Sequence, residues 1–230
     1  MTPRSEFLAG VRAELPILFG TIPFGLIYGV LAVGAGLPVA AALGMSSIVF
    51  AGSAQFIGMQ LISAGAPGLL VILTTFVVNL RHVLYSASVA PHIKHLSPAW
   101  KWLLAYLLTD EAFAVTIVHY DQKTDPTYKH WFFLGSGLAL WSTWQASTAA
   151  GVFLGASVPA SWSLDFTLTV TFIAIVIPAL RDRAALASAL SAGVVAVLAA
   201  GLPLKLGLMV AALTGILIGV VIENGVVNGK

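Results

Sequence analysis

The chain has 230 residues, of which 59% are hydrophobic and 9% charged, with a formal net charge of +2. A soluble domain carries about 25% charged residues to keep its surface in water, so a water-soluble globule is excluded and a lipid-embedded chain is indicated. Cysteine is absent, which excludes disulfides, thiolate metal sites and a cysteine nucleophile, and the scattered Lys and Arg form no basic cluster of the kind that binds nucleic acid.

At the start of the chain, Thr2-Pro3 reads as a helix start, with Phe7, Leu8 and Val11 on one face. That pattern predicts a short helix over residues 1–14 lying in the membrane interface. From Leu15 to Leu80 there is no Asp, Glu, Lys, Arg or His. A helix needs about 20 apolar residues to cross the hydrocarbon of a bilayer. On that measure spans are expected near Leu15–Gly36, Ala40–Ser63, Gly68–Ala90, Ala99–His119, Trp131–Gly155, Ser163–Leu180, Ala184–Gly201 and Pro203–Ile222. The last two are short and nearly fused, so the expected fold is an all-α polytopic transmembrane bundle of seven to eight spans, forming one domain over residues 1–230.

With the N-terminus inside, Arg4, Arg12, Lys123, Lys129, Arg181, Arg183 and Lys230 fall on the cytoplasmic side and Lys94, Lys101 and Lys205 outside. That excess of inner positive charge places both termini in the cytoplasm. Trp100, Trp102, Trp131 and Trp162 sit near span ends, as an interfacial aromatic belt requires. Gly25 with Gly29, Gly151 with Gly155 and Gly215 with Gly219 are each four apart, giving smooth helix faces for close packing. Asn79-Leu80-Arg81-His82 and Ala179-Leu180-Arg181-Asp182 echo one another at span ends, which is compatible with an internal repeat.

Three clusters carry chemistry. Within the second span, Gly52, Ser53 and Gln55 lie in the run Phe50–Phe56, a poor lipid-facing stretch. It reads either as a buried helix contact or as a locally broken helix whose freed groups face a polar cavity. Asn79, Arg81, His82 and Tyr85 form the second cluster, and Arg81 falls near the middle of the third span. An arginine at such depth costs about 2.5–3.5 kcal/mol on insertion scales. It is tolerated as half of a structural ion pair, at an early span end, or as a guanidinium that binds a carboxylate in a wet cavity. Asp110 and Glu111, in the fourth span, are the counterpart; one is suited to pair with Arg81 and the other to carry a proton. Asp165 opens the sixth span after Ser163 and reads first as a helix cap. The five histidines show no metal-ligand spacing, and no cofactor motif is present.

These patches resemble the AzlC family, the large subunits of two-component branched-chain amino acid exporters. The resemblance rests on Phe7…Gly10, Pro16 and Pro23-Phe24-Gly25, then Phe50–Phe56, then Asn79-Leu80-Arg81-His82 with Tyr85-Ser86. It continues through Thr109-Asp110-Glu111 with Phe113 and ends in Leu164-Asp165-Phe166…Phe172-Ile173-Ala174 with Pro178. It implies proton-driven efflux of leucine, isoleucine, valine and sometimes methionine across a bacterial cytoplasmic membrane. It also implies a small AzlD-type membrane partner. Two other classes compete with a carrier. One is a channel or a stabilising subunit that does not transport. The other is an intramembrane hydrolase; Ser53, His82 and Asp110 would have to form its triad, and the chain has neither a His-Glu-x-x-His pair nor a Gly-x-Ser-x-Gly elbow.

Overall fold

A computed structural model describes residues 2–122, 127–155, 180, 182–202 and 206–228. Among them run ten helices and no strand: α1 (Pro3–Gly34), α2 (Val39–Ile48), α3 (Gly52–Ser63), α4 (Gly68–Val78), α5 (Arg81–Ile93), α6 (Pro98–Tyr106), α7 (Asp110–Gln122), α8 (Lys129–Leu154), α9 (Arg183–Leu198) and α10 (Leu206–Asn228). Contacts divide the chain into two compact units, Met1–Phe56 with Asn79–Pro159, and Ile57–Val78 with Ala160–Lys230.

The first unit is organised by α1 and α8. Helix α1 starts where Thr2-Pro3 predicts: the Ser5 amide donates to the Thr2 hydroxyl at 3.2 Å and the Thr2 amide donates to the Ser5 hydroxyl at 3.0 Å. It then continues unbroken through Pro16 and Pro23. The segment expected as a separate surface helix is therefore the first third of one continuous helix, Pro3–Gly34. Its Glu6, Gly10 and Glu14 are buried.

Glycine makes that burial feasible. A Cβ at Gly10 would collide with the Phe132 carbonyl, one at Gly135 with the Phe7 carbonyl, and one at Gly151 with the Leu26 carbonyl. The contacts rise together in number, from Phe7–Gly135 to Val30–Gly155, so α1 and α8 lie parallel, backbone against backbone.

Two helical hairpins enter this frame from opposite ends. Helix α6 climbs along α8: Trp100 packs on His130 and Trp131, Tyr106 accepts a bond from Trp141, and Leu107 covers Gly137. Helix α7 then descends, with Thr116 at Ser136, His119 stacked on Phe132, and Tyr120 bonded to Lys129. The stretch Ala99–His119, expected as one continuous span, is instead two helices that fold back on each other along α8. Its turning point is Leu107-Leu108-Thr109, where α6 stops and the Thr109 hydroxyl caps α7 by accepting the Ala112 amide at 3.3 Å.

From the other end α2 descends, with Ala42 at Tyr28, Ser46 at Thr148 and Ser47 at Gln145. After a break at Val49–Ala51, the first turn of α3 climbs again, Gly52 lying under Phe24 and Trp144 and Phe56 packing on Phe24 and Tyr28. Of the two readings of Phe50–Phe56, the structure has the broken helix.

Helix α5 runs parallel to α7, its Tyr85 stacked on Phe113 and its His92 against Tyr120. The α5–α6 connection thus lies beside the start of α8, and Lys94 and Lys101 share a side with Lys129 rather than opposing it. Helix α1 is by itself long and apolar enough to cross a membrane, and α4 with α5 reaches that length across a break at Asn79-Leu80.

In the second unit α9 and α10 form an antiparallel hairpin, Gly207 facing Ala199 and Gly215 facing Ala192 and Ser188. The Ser188 hydroxyl donates to the Gly215 carbonyl at 2.8 Å. Asp182 caps α9 by accepting the Ala185 amide at 2.7 Å. The expected sixth span, Asp165 within it, and the Ala179 and Arg181 positions of the proposed repeat lie outside the described residues.

Candidate functional site

The three candidate clusters occupy equivalent positions, each at the first turn of a helix that follows a break. Gly52 opens α3, Arg81 opens α5 and Asp110 opens α7. A helix start leaves main-chain amides without intrahelical partners and carries the positive end of the helix dipole. Inside a membrane such interruptions are accommodated only where protein or a polar cavity satisfies the freed groups.

At the first break the satisfaction is visible. Phe50 has φ +40°, a left-handed conformation that a bulky residue adopts only under constraint. Its ring is buried and faces Tyr106 at 6.0 Å. The carbonyls that end α2 are taken by side chains: Gln145 Nε2 donates to Ser46 O at 3.0 Å, and the Tyr106 hydroxyl donates to Ser47 O at 2.6 Å. Trp141 Nε1 in turn donates to the Tyr106 hydroxyl at 2.7 Å. None of Gln145, Tyr106 or Trp141 is marked by sequence pattern, since their role depends on a break that only the fold reveals.

Arg81 joins the three breaks. Its Nη2 donates to Ser53 Oγ at 2.7 Å and its Nη1 lies 2.8 Å from Asp110 Oδ2. About a third of each charged side chain remains open, 31% for Arg81 and 38% for Asp110. An ion pair facing hydrocarbon is costly. Three further atoms here are buried without a hydrogen-bond partner among the described residues: Arg81 Nε, Asp110 Oδ1 and Asn79 Oδ1. Buried polar atoms are nearly always paired, and these exceptions gather around one ion pair.

Around this centre His82 Nδ1 donates to the Asn79 carbonyl at 3.1 Å, closing the second break, and its ring meets Tyr85 edge-on. Tyr85 lies within electrostatic reach of Asp110 and Glu111 and stacks on Phe113 at 4.5 Å. Phe24, Tyr28, Phe56 and Trp144 form an aromatic wall beside Gly52. Sequence reading missed Glu14, a fully buried carboxyl on α1 whose charge couples to that of Glu111.

Residues 16–158, more than half of the chain and all of this site except Glu14, match the family model described as AzlC protein. The chain belongs to the AzlC family. Among curated proteins, an uncharacterized membrane protein of Archaeoglobus fulgidus is 32% identical over 84% of this AzlC-family chain and 84% of its own length. The inner membrane protein YgaZ of Escherichia coli is 28% identical, covering 79% and 76% respectively. The branched-chain amino acid transport protein AzlC of Bacillus subtilis is 28% identical, covering 77% and 70%. No solved structure matches. Together with the composition, these relatives make this AzlC-family chain a membrane protein.

Proposed function

We propose that this chain is a secondary transporter that exports small apolar amino acids, leucine, isoleucine and valine foremost, across the bacterial cytoplasmic membrane. The observation that carries the reading is the Arg81–Asp110 pair among three helix starts, with Arg81 Nε and Asp110 Oδ1 buried and without a hydrogen-bond partner among the described residues. Arg81 Nε–H is the donor for a substrate carboxylate in this reading, and the Asp110 carboxylate, which Tyr85 also approaches, is the acceptor for its ammonium. The zwitterion of an α-amino acid carries both groups on one carbon. Phe24, Phe56, Tyr85 and Phe113 offer an apolar surface for its side chain. The donor-rich ends of α3 and α5, with Ser53 and Gly52 at the wall, complete the anion side.

Asp110 and Glu111 are the proton-coupling groups in this reading. A proton taken by Asp110 weakens its hold on Arg81 and frees the guanidinium for substrate. The name of the Bacillus subtilis relative supports branched-chain amino acid transport; export, proton coupling and an AzlD-type partner are what the family resemblance implies. Orientation rests on charge. Arg4, Arg12, Lys94, Lys101 and Lys129 gather at the end of the α1–α8 pair where α1 begins, while residues 35–38 at the other end carry no charge. That asymmetry supports a cytoplasmic N-terminus.

The reading is tested by leucine counterflow in vesicles containing the full chain, with and without a co-expressed small membrane subunit. Wild type should exchange labelled for unlabelled leucine saturably, and Arg81→Ala should not. Flux that rises linearly with concentration would make the chain a channel, and no flux under either condition would leave it a structural subunit.

A further inference from the structure

The seam between α1 and α7 holds a column of polar groups that substrate binding does not use. At its cytoplasmic end His119 Nε2 lies 2.9 Å from Glu6 Oε2, the two side chains being 13% and 5% exposed. One turn further in, the hydroxyls of Thr116 and Ser136 meet at 3.4 Å beside Gly10. Beyond them is Glu14, with no exposed surface and with both carboxyl oxygens lacking a hydrogen-bond partner among the described residues. Its charge couples to Glu111, which adjoins Asp110 and so the Arg81 site.

Among the described residues the surroundings of Glu14 offer no counter-charge. Helix α8 from residue 131 to 154 and the whole of α2 contain no titratable side chain. From α7 the titratable groups are Asp110, Glu111 and, nearer the surface, His119, which is engaged by Glu6, Tyr120, which is bonded to Lys129, and the exposed Asp121. On α1 itself Arg12 is exposed on another face. An ionised carboxylate enclosed this way is expensive unless a cation or donors compensate it, and two neighbouring carboxyls resist ionising together. The packing therefore accepts Glu14 in its neutral, proton-carrying form, or Glu14 and Glu111 sharing one proton.

We propose that Glu14 is the interior proton site of the transport cycle, exchanging its proton with the Glu111–Asp110 end of the Arg81 site and releasing it toward the cytoplasm past Thr116, Ser136 and the His119–Glu6 pair. This rests on the transporter reading above. The step moves one proton between carboxyl groups and forms no other bond.

The test uses the full chain in proteoliposomes and separates exchange from net coupled transport. Wild type should show leucine counterflow and also leucine accumulation driven by a pH gradient. Glu14→Gln, which keeps shape and removes the titrating proton, should retain counterflow and lose gradient-driven accumulation, with Glu14→Asp restoring part of it. Accumulation by Glu14→Gln equal to wild type would overturn the proposal, while absence of counterflow in wild type would overturn the transporter reading instead. An independent measurement needs no transport. The infrared spectrum of the purified chain at neutral pH should contain a protonated-carboxyl stretch that Glu14→Gln or Glu14→Asp removes or shifts. A spectrum unchanged by both substitutions would overturn the proposal by itself.

Discussion

Helices α1 and α8 are continuous, parallel and pressed backbone to backbone, whereas the helices between them stop and restart at Val49–Ala51, Asn79-Leu80 and Leu107–Thr109. The first region carries glycines where a carbonyl of the partner leaves no space for a Cβ. In the second, polar side chains either satisfy a helix end, as Tyr106 does together with Gln145 of α8, or hold an atom without a hydrogen-bond partner among the described residues just before the next start, as Asn79 Oδ1 does. A membrane protein can thus concentrate its rigidity in one helix pair and gather its chemistry in interruptions held against that pair.

The largest effect expected from breaking this contrast is at the pair itself. Gly151→Leu places a side chain in the Leu26 carbonyl, and an overpacked contact costs about 1–3 kcal/mol or more. Loss of monodisperse, detergent-extractable protein is expected, measured by size-exclusion chromatography. Arg81→Ala acts in the other region and should leave that elution profile intact while abolishing counterflow. Asp110→Asn should keep some exchange but lose its pH dependence, since the amide retains an acceptor and cannot take up a proton. Tyr106→Phe removes the hydrogen bond to Ser47 O, an exposed contact worth about 0.5–1.5 kcal/mol, visible as a lower melting temperature with Arg81-dependent binding retained. Thr109→Ala should be mildest, about 1 kcal/mol for a lost cap, and should loosen the start of α7 in hydrogen exchange.

What was legible in the sequence follows from the kind of signal each feature leaves. Glycine pairs four apart state their purpose in a helix, and Gly25, Gly29, Gly151, Gly155, Gly215 and Gly219 all face a partner helix in the structure. Arg81 stood out because a guanidinium among apolar residues needs an explanation, and Asp110 because it was the matching charge; the structure brings them to 2.8 Å. The folding back of Ala99–His119 was not read. An apolar ruler counts residues and is blind to direction, so a hairpin and a crossing of equal length look alike. Yet Thr109-Asp110-Glu111 is a helix-start signature, a capping hydroxyl followed by acidic residues, and it marked the turn. Glu14 ends the stretch 1–14 expected in the membrane interface, although it lies four residues after Gly10 on the buried stripe that continues through Thr21 and Gly25. The side chains that stabilise the first break left no local trace, because Gln145 and Trp141 act across about a hundred and about thirty-five residues of chain respectively.

The most direct measurement is a comparison of ligands that lack one charge. Binding of leucine, leucinol and 4-methylpentanoate should be measured by calorimetry on wild type, Arg81→Ala and Asp110→Asn. Wild type should favour leucine over both analogues; Arg81→Ala should lose the preference over leucinol, which has no carboxylate, and Asp110→Asn the preference over 4-methylpentanoate, which has no ammonium. A preference for leucine over leucinol that survives unchanged in Arg81→Ala would contradict the assignment of the broken-helix centre as the amino acid site.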